Sequence, residues 1–255
     1  MRKCFTINPY RNTEDFKSYY PLVENRIYQA VEVFFPYTLS EEGIKVYKQN
    51  ADKFVKMNAE MVLHLPHGKE NDLCDFDNFN LVFTRMKDAI TFGKDLNVGK
   101  YTLHLGFSNN GSRNKLITHL VKVVSQLCDY AGNALIMIEN MPGESEMGYS
   151  PEEIEEIIVK VNKPNVKFIL DTGHANVSDY VIDNYITKLF PYLSHIHLSD
   201  NKGKRDEHAP LGTGNIDFKN VFKLLESYEG LYCLEVLYKD VNDLLANSKI
   251  LDSYF

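Results

Sequence analysis

Histidines and carboxylates stand at the ends of six successive apolar segments of this sequence. The residues at these ends are His64, His104, Glu139, Asp171, His197 and Glu235, and His174, Asp206 and His208 follow close behind two of them. Isolated ionisable groups are costly where water is excluded, so burial alone does not explain such a series. Imidazoles and carboxylates that converge are ligands of divalent metal ions. The pattern therefore predicts a metal site, and the spacing of Asp206 and His208 lets both side chains point the same way.

Other polar residues near these ends have two interpretations each. His195 lies one step deeper than His197 on the same strand face, and we expect a hydrogen-bonded core residue there. His67 follows a segment end and is either a surface residue or a substrate contact. Lys202 and Arg205 lie in a basic cluster that is most simply solvated, although it is also well placed to meet an anionic substrate. We take His67, Lys202 and Arg205 as the candidate substrate-binding residues.

The elements that must position these residues alternate along the whole chain. Apolar segments predict strands at residues 3–8, 28–35, 61–66, 101–107, 134–140, 166–172, 194–199 and 231–237. Helical periodicity predicts helices at residues 42–54, 79–96, 115–130, 151–161, 181–193 and 218–228. Alternation of this kind implies a parallel sheet, and eight repeats in 255 residues are typical of a (β/α)8 TIM barrel. We therefore expect one barrel domain over residues 1–255; a doubly wound sheet is the alternative, but its usual Gly-rich first turn is missing.

The predicted barrel explains where the ionisable residues stand. Active sites of such barrels lie at the C-terminal ends of the strands. The histidines and carboxylates named above end six consecutive predicted strands, the third to the eighth. The sequence therefore predicts that they meet at one end of the barrel.

Composition narrows the classes of partner. The net charge of −7 argues against binding nucleic acid through a general basic surface, because neutralising phosphates needs clustered Lys and Arg. The four cysteines form no CxxC pair, so we expect reduced thiols and no zinc ribbon. No apolar run approaches the roughly 18 residues of a membrane helix, and the N-terminal residues lack a signal-peptide pattern. We therefore expect a cytoplasmic protein without membrane contact.

The motifs resemble those of the xylose isomerase-like superfamily, which joins sugar isomerases and epimerases with the endonuclease IV family of DNA repair enzymes. The resemblance spans nearly the whole chain. Its sharpest parts are Asp171-Thr172-Gly173-His174, the run from His195 to Asn201, Asp206-Glu207-His208, and the run from Gly212 to Ile216. It implies a (β/α)8 barrel with divalent ions, zinc or manganese, numbering one to three per chain, and it makes a homodimer plausible.

The isomerase and epimerase branch implies one ion held by Glu139, Asp171, His197 and Glu235. In this branch the two glutamates also exchange a proton with the substrate carbon next to a carbonyl. That chemistry needs a positioned base and a Lewis acid. The substrate would be a small sugar or sugar phosphate.

The endonuclease IV branch implies three zinc ions on nine ligands. The matching positions are His64, His104, Glu139, Asp171, His174, His197, Asp206, His208 and Glu235. Several ions suit phosphodiester hydrolysis. The sequence departs from this branch after His64, where Leu65-Pro66-His67-Gly68 replaces an Ala-Pro-Tyr-Leu segment whose Tyr and Leu push into DNA. A protein that flips a nucleotide must offset the cost of unstacking, and this chain lacks that pair of side chains.

From the sequence we favour a metal-dependent sugar or sugar-phosphate isomerase or epimerase, with Glu139 and Glu235 as the acid/base pair. The alternative is an endonuclease IV-like zinc phosphodiesterase that acts on abasic DNA or on a smaller phosphoester. Only this alternative has nucleic acid as a possible partner. A metal-binding barrel without catalytic activity is disfavoured, because so many convergent ionisable groups usually mark a working site.

Overall fold

Eight parallel strands form one closed barrel in the computed structural model, which describes residues 1–7 and 16–255. The strands are β1 (Arg2–Ile7), β2 (Ala30–Phe34), β3 (Glu60–His64), β4 (Lys100–Leu103), β5 (Leu135–Glu139), β6 (Val166–Asp171), β7 (Leu193–Leu198) and β8 (Leu231–Leu234). Each strand pairs with the next in sequence order, and β8 pairs with β1 to close the barrel. The predicted (β/α)8 fold is confirmed, and all eight predicted strands are present; Asn8, which ends the first prediction, lies outside the described residues.

Helices occupy most of the connections between strands. Among the described residues they are α1 (Tyr20–Glu24), α2 (Glu41–Lys56), α3 (Phe79–Lys94), α4 (Arg113–Ala131), α5 (Pro151–Val161), α6 (Thr172–Val177), α7 (Ile182–Leu189), α8 (Phe218–Leu224) and α9 (Val241–Asp252). The six predicted helices are confirmed, whereas α1, α6 and α9 lie outside the six predicted ranges. The helix predicted at 181–193 ends at Leu189 and continues as a 3₁₀ turn, Phe190–Tyr192, in which Pro191 has no backbone N–H. No helix in the described ranges is both long and apolar enough to cross a membrane.

Side chains alternate between the outside and the inside of the barrel along each strand. Outward residues such as Val33 pack against the helices in the main core. Inward residues form a separate apolar layer: Cys4, Ala30, Val62, Met137, Ile169, Leu231 and Cys233. Four candidate ligands stand two positions after a member of this layer, as His64 stands after Val62. The layer is therefore the floor beneath the C-terminal ends of the strands.

The fourth strand is shorter than predicted. It ends at Leu103 rather than at residue 107, so His104 lies directly after the strand. Gly106 adopts a φ of 108°, and a Cβ at this position would overlap Oδ1 of Asp72. Because only glycine takes this conformation without a steric cost, the chain turns here instead of extending the strand. β8 likewise ends at Leu234, and Glu235 follows it.

Close packing of α3 on β4 gives a test of the barrel wall. An added Cβ at Gly93 would lie 2.6 Å from the Tyr101 ring, and Tyr101 is fully buried with its hydroxyl donating to the Ile90 carbonyl over 3.1 Å. We expect Gly93→Ala to lower the free energy of unfolding by about 1–3 kcal/mol through overpacking, as measured by chemical denaturation. Gly99→Ala is the control, because no neighbouring heavy atom lies within 4 Å of its Cβ position. Equal stability of the two variants would contradict this account of the packing.

Candidate metal centre

The structure brings all nine candidate ligands together at the C-terminal ends of the strands. They fall into three adjoining groups, and within each group the ligand atoms lie within 4.8 Å of one another. The first group is His64, His104 and Glu139; the central group is Glu139, Asp171, His197 and Glu235; the third is His174, Asp206 and His208. Glu139 belongs to two groups, so the first and central groups share one carboxylate.

The first group lies at the ends of β3, β4 and β5. Nε2 of His104 is 2.9 Å from Oε2 of Glu139, and Nε2 of His64 is 3.6 Å from the same oxygen. Nδ1 of His64 is 2.8 Å from the Leu65 carbonyl oxygen. The Phe34 ring stacks on the His64 ring with centroids 4.4 Å apart. The imidazole is therefore held from two sides, with Nε2 directed at the shared glutamate.

The central group surrounds Nδ1 of His197. This nitrogen is 3.0 Å from Oε1 of Glu139, 2.9 Å from Oε2 of Glu235 and 3.9 Å from Oδ2 of Asp171. The other ring nitrogen, Nε2, is 2.8 Å from Oε2 of Glu32 on β2. A carboxylate on the far side of an imidazole fixes its orientation and raises its basicity as a ligand. Glu32 thus aims His197 at the three carboxylates.

The third group combines α6 with the loop that follows β7. Oδ2 of Asp206 is 3.3 Å from Nε2 of His174 and 2.8 Å from Nε2 of His208. Asp171 caps α6, because its Oδ1 accepts from the His174 backbone N–H over 2.6 Å. That cap places His174 at the start of the helix, next to the central group. Nδ1 of His174 lies 3.7 Å from Oε1 of Glu139.

Three of the histidines share one hydrogen-bonding pattern. Nδ1 of each lies close to a backbone carbonyl oxygen: His64 at 2.8 Å from Leu65, His174 at 2.9 Å from Asn140 and His208 at 3.0 Å from Glu235. A neutral imidazole that donates through Nδ1 keeps its lone pair on Nε2. In all three residues Nε2 faces a carboxylate of its own group. Metal-binding histidines are oriented in this way.

The donor set fits divalent ions on a second ground. Oδ2 of Asp171 and Oδ1 of Asp206 are buried, and neither oxygen has a hydrogen-bond partner among residues 1–7 and 16–255. A buried carboxylate oxygen without a partner is costly unless a cation or a donor satisfies it. Imidazole nitrogen together with carboxylate oxygen suits zinc or manganese, so the residues fit the predicted ions.

Burial and neighbouring charges shift the pKa values at the centre. Burial raises the pKa of Asp171 to about 7, against the opposing charge of His174 and with added repulsion from Glu139. Burial alone would also raise the pKa of Glu139, but His197 and His104 hold it well below its usual range. The groups are thus close enough to compete for protons. Divalent cations among them would offset the repulsion between the carboxylates.

The candidate substrate-binding residues lie in two places. The His67 ring is 4.7 Å from the His64 ring and 5.0 Å from the His104 ring, between centroids, and burial lowers the pKa of His67 to about 2. His67 therefore borders the first group. Lys202 and Arg205 are exposed on the loop after β7 that also carries Asp206. Contact of these three residues with a substrate stays a prediction.

Two residues that position candidate ligands were not among the sequence-based candidates. Glu32 is fully buried and orients His197, and its only signal was an acidic residue within an apolar strand segment. The side-chain amide of Asn140 accepts from the Asp171 backbone N–H over 2.8 Å and donates to the Asp171 carbonyl oxygen over 2.9 Å. The backbone carbonyl oxygen of Asn140 lies close to Nδ1 of His174. Its signal was its place directly after Glu139. His195 is buried and hydrogen-bonded as expected, with Nε2 2.9 Å from Oε2 of Glu32.

A sequence profile of the xylose isomerase-like TIM barrel family matches residues 24–252. The chain belongs to this family. The predicted resemblance is therefore confirmed at the level of the xylose isomerase-like family. Its members include enzymes of different reaction types, so membership by itself does not choose between isomerisation and hydrolysis.

Proteins similar to this xylose isomerase-like chain include an uncharacterized protein, a probable endonuclease and a solved epimerase-like structure. The uncharacterized protein MJ1311 of Methanocaldococcus jannaschii is 28% identical over 230 residues, which cover 85% of this chain and 76% of that protein. A probable endonuclease 4 of Mesomycoplasma hyopneumoniae is 30% identical over 136 residues, 48% of this chain and about half (49%) of its own length. A solved D-tagatose 3-epimerase-like protein superposes with a TM-score of 0.83 at 24% identity, covering 100% of this chain and 97% of the other. At that identity the likeness supports the shared fold.

Proposed function

We propose that this protein is a metal-dependent phosphoester hydrolase with a multinuclear centre. The observation that carries the proposal is the division of nine ligands into three adjoining groups joined through Glu139. A one-ion isomerase uses the central group alone. It would leave His64, His104, His174, Asp206 and His208 without a role, although three of them have the hydrogen bonds of metal ligands.

The three ligand groups lie next to one another, which this proposal requires. Divalent ions held by these residues would supply Lewis-acid activation of water and would neutralise the charge that develops on a phosphoryl group. Glu139 presents one oxygen to each of two groups, Oε2 to His104 and Oε1 to His197, and so keeps those two groups adjacent. The third group lies beside them because His174 approaches Glu139. The protein thereby offers several cationic positions around one reacting ester.

The proposed substrate is a small phosphodiester or phosphomonoester rather than duplex DNA. Leu65-Pro66-His67-Gly68 provides no pair of large side chains to fill the gap left by a flipped nucleotide. The net charge of −7 also disfavours binding to the negatively charged phosphates of a duplex. Lys202 and Arg205 are exposed on the loop that carries Asp206, where they would attract an anionic substrate to the third group.

The test compares two reactions in one preparation loaded with zinc or manganese. We expect cleavage of bis(4-nitrophenyl) phosphate or of a cyclic nucleotide, and we expect His174→Ala, which removes one ligand of the third group, to slow this cleavage. His119→Ala is the matched control, because His119 lies on α4, its Nε2 lies 3.0 Å from the Leu73 carbonyl oxygen, and it belongs to none of the ligand groups. Deuterium exchange from solvent into a ketohexose, without cleavage of any ester, would overturn the proposal.

A sugar isomerase or epimerase remains the second candidate because of the central group. Oxygens of Glu139 and Glu235 approach His197 Nδ1 at 3.0 and 2.9 Å, so both carboxylates lie beside the same nitrogen. In the isomerase and epimerase branch, two such glutamates would exchange a proton with a substrate carbon next to a carbonyl. The substrate would then be a small sugar or sugar phosphate. The homodimer expected from the resemblance also stays a prediction.

A further inference from the structure

A second cluster of ligand-type side chains lies inside the barrel, beneath the central group. It consists of Cys4, Glu32, His195 and Cys233, which we call the inner cluster. Each offers one ligand atom, and these atoms lie within 4.8 Å of one another. All four side chains are completely buried. The catalytic proposal uses none of them as a ligand.

The barrel topology explains why these four residues meet. They lie on β1, β2, β7 and β8, which are four neighbouring strands around the point where the barrel closes. Cys4 pairs with Cys233 across β1 and β8. His195 stands two positions before His197, and His197 pairs with Cys233 across β7 and β8. Inward-facing residues at similar heights on four adjacent strands converge on one point of the barrel axis.

The inner cluster is incompletely satisfied by the protein itself. Nδ1 of His195 is buried and has no hydrogen-bond partner within the described ranges 1–7 and 16–255. The carboxylate of Glu32 is better satisfied, because Oε1 accepts from Thr102 Oγ1 at 2.7 Å and Oε2 faces His195 and His197. Cys4 and Cys233 belong to the apolar floor, whereas His195 and Glu32 are the polar members of the inner cluster. The unpaired His195 nitrogen, in a cluster with two thiols and a carboxylate, therefore calls for a ligand.

We infer that the inner cluster binds a thiophilic divalent ion, zinc above all, as a closed four-ligand site. Cysteine, histidine and carboxylate are all zinc ligands, and four of them are the number that a tetrahedral structural site needs; the thiolates distinguish this site from the carboxylate-rich centre above it. Both thiols give up their protons when the ion binds. Four protein ligands leave no position for water, so the ion is structural. It would join the first and last strands of the barrel.

The inner ion would also support the metal centre above it. Glu32 belongs to the inner cluster, and the same Oε2 atom lies 2.8 Å from Nε2 of His197. A cation beneath Glu32 would keep this carboxylate ionised and in place. The inner site would then fix the orientation of His197 through this Glu32 contact. This inference does not depend on which reaction the outer centre performs.

Cobalt substitution distinguishes the inner cluster from the outer centre, because only the inner cluster contains sulfur. We expect the intact Co²⁺-loaded protein to show a thiolate-to-cobalt charge-transfer band in the near ultraviolet. Cys233→Ser should remove this band and lower the zinc content by about one ion per chain. Cys128→Ser is the matched control, because Cys128 is equally buried but lies on α4, and it should keep both the band and the ion.

The spectrum of the unmutated protein decides the outcome even if Cys233→Ser fails to fold. Absence of the charge-transfer band in fully cobalt-loaded protein would overturn the inference. A disulfide between Cys4 and Cys233 in protein purified with zinc would also overturn it, and thiol counting under denaturing conditions detects that bond. Loss of the band in Cys128→Ser but not in Cys233→Ser would place the sulfur ligand elsewhere and would equally contradict the proposal.

Discussion

Glu139→Gln is expected to reduce phosphoester hydrolysis more than any other single substitution in the protein. One oxygen of Glu139 meets His104 and the other meets His197, so the change weakens two ligand groups at once. Removing a residue that only hydrogen-bonds to a metal ligand lowers activity by about 10–100-fold. Loss of a ligand shared by two groups should have a larger effect, a fall of about 10³-fold in kcat/KM. Steady-state kinetics with a saturating supply of zinc or manganese measures the effect.

The control for Glu139→Gln is the same substitution at the opposite end of the barrel. Glu60 begins β3 and pairs with Arg2 and Lys100 near the N-terminal ends of the strands. Glu60→Gln should keep near-normal activity. Thermal unfolding of both variants separates a damaged site from a damaged fold. Near-normal hydrolysis by a folded Glu139→Gln variant would show that the shared carboxylate is not needed.

The double variant His64→Ala/His104→Ala is expected to lose about one bound ion per chain and to keep the others. These residues provide two of the three side chains of the first group, whereas the remaining groups keep every ligand of their own. One carboxylate cannot hold a divalent ion firmly when its two imidazole partners are gone. Elemental analysis of protein purified without added metal measures the change, and hydrolysis should fall with the ion content.

The double variant His67→Ala/His119→Ala controls for the removal of two histidines. His67 borders the first group but belongs to none of the three ligand groups, and His119 lies on α4. This variant should keep the ion content of the unmutated protein. If the unmutated protein held about one ion and His64→Ala/His104→Ala kept it, the central group would be working alone. That result would favour the isomerase or epimerase over the hydrolase.

The sequence by itself determined the strands, the barrel and the end at which the ionisable residues stand. Each of these features depends on local patterns. An apolar segment of six to eight residues predicts a strand, and a period of two predicts which side chains share a face. His64 and Asp171 could therefore be placed at the same end of the barrel before any distance was known. The resemblance to the xylose isomerase-like superfamily rested on the same residues.

Short or capped elements were harder to predict, because their stability depends on contacts outside their own sequence. α6 has only six residues and begins at Thr172, after Asp171, whose side chain caps it. An isolated helix of this length is not stable in water, so periodicity gives no signal for it. The fourth strand was predicted too long for a similar reason. Its end is set by Gly106, which packs against Asp72 from a different loop.

Only the tertiary structure decided how the ionisable residues are grouped. The division into three groups depends on the register between strands and on the closure of β8 against β1, and neither is encoded in a local pattern. The same closure brings Glu32 under His197 and brings Cys4 and Cys233 together from opposite ends of the chain. A single sequence reveals the alternation along each strand because that spacing is fixed by the backbone. It does not reveal which inward side chains share a height in the barrel, because that height is set by the stagger of strands far apart in sequence.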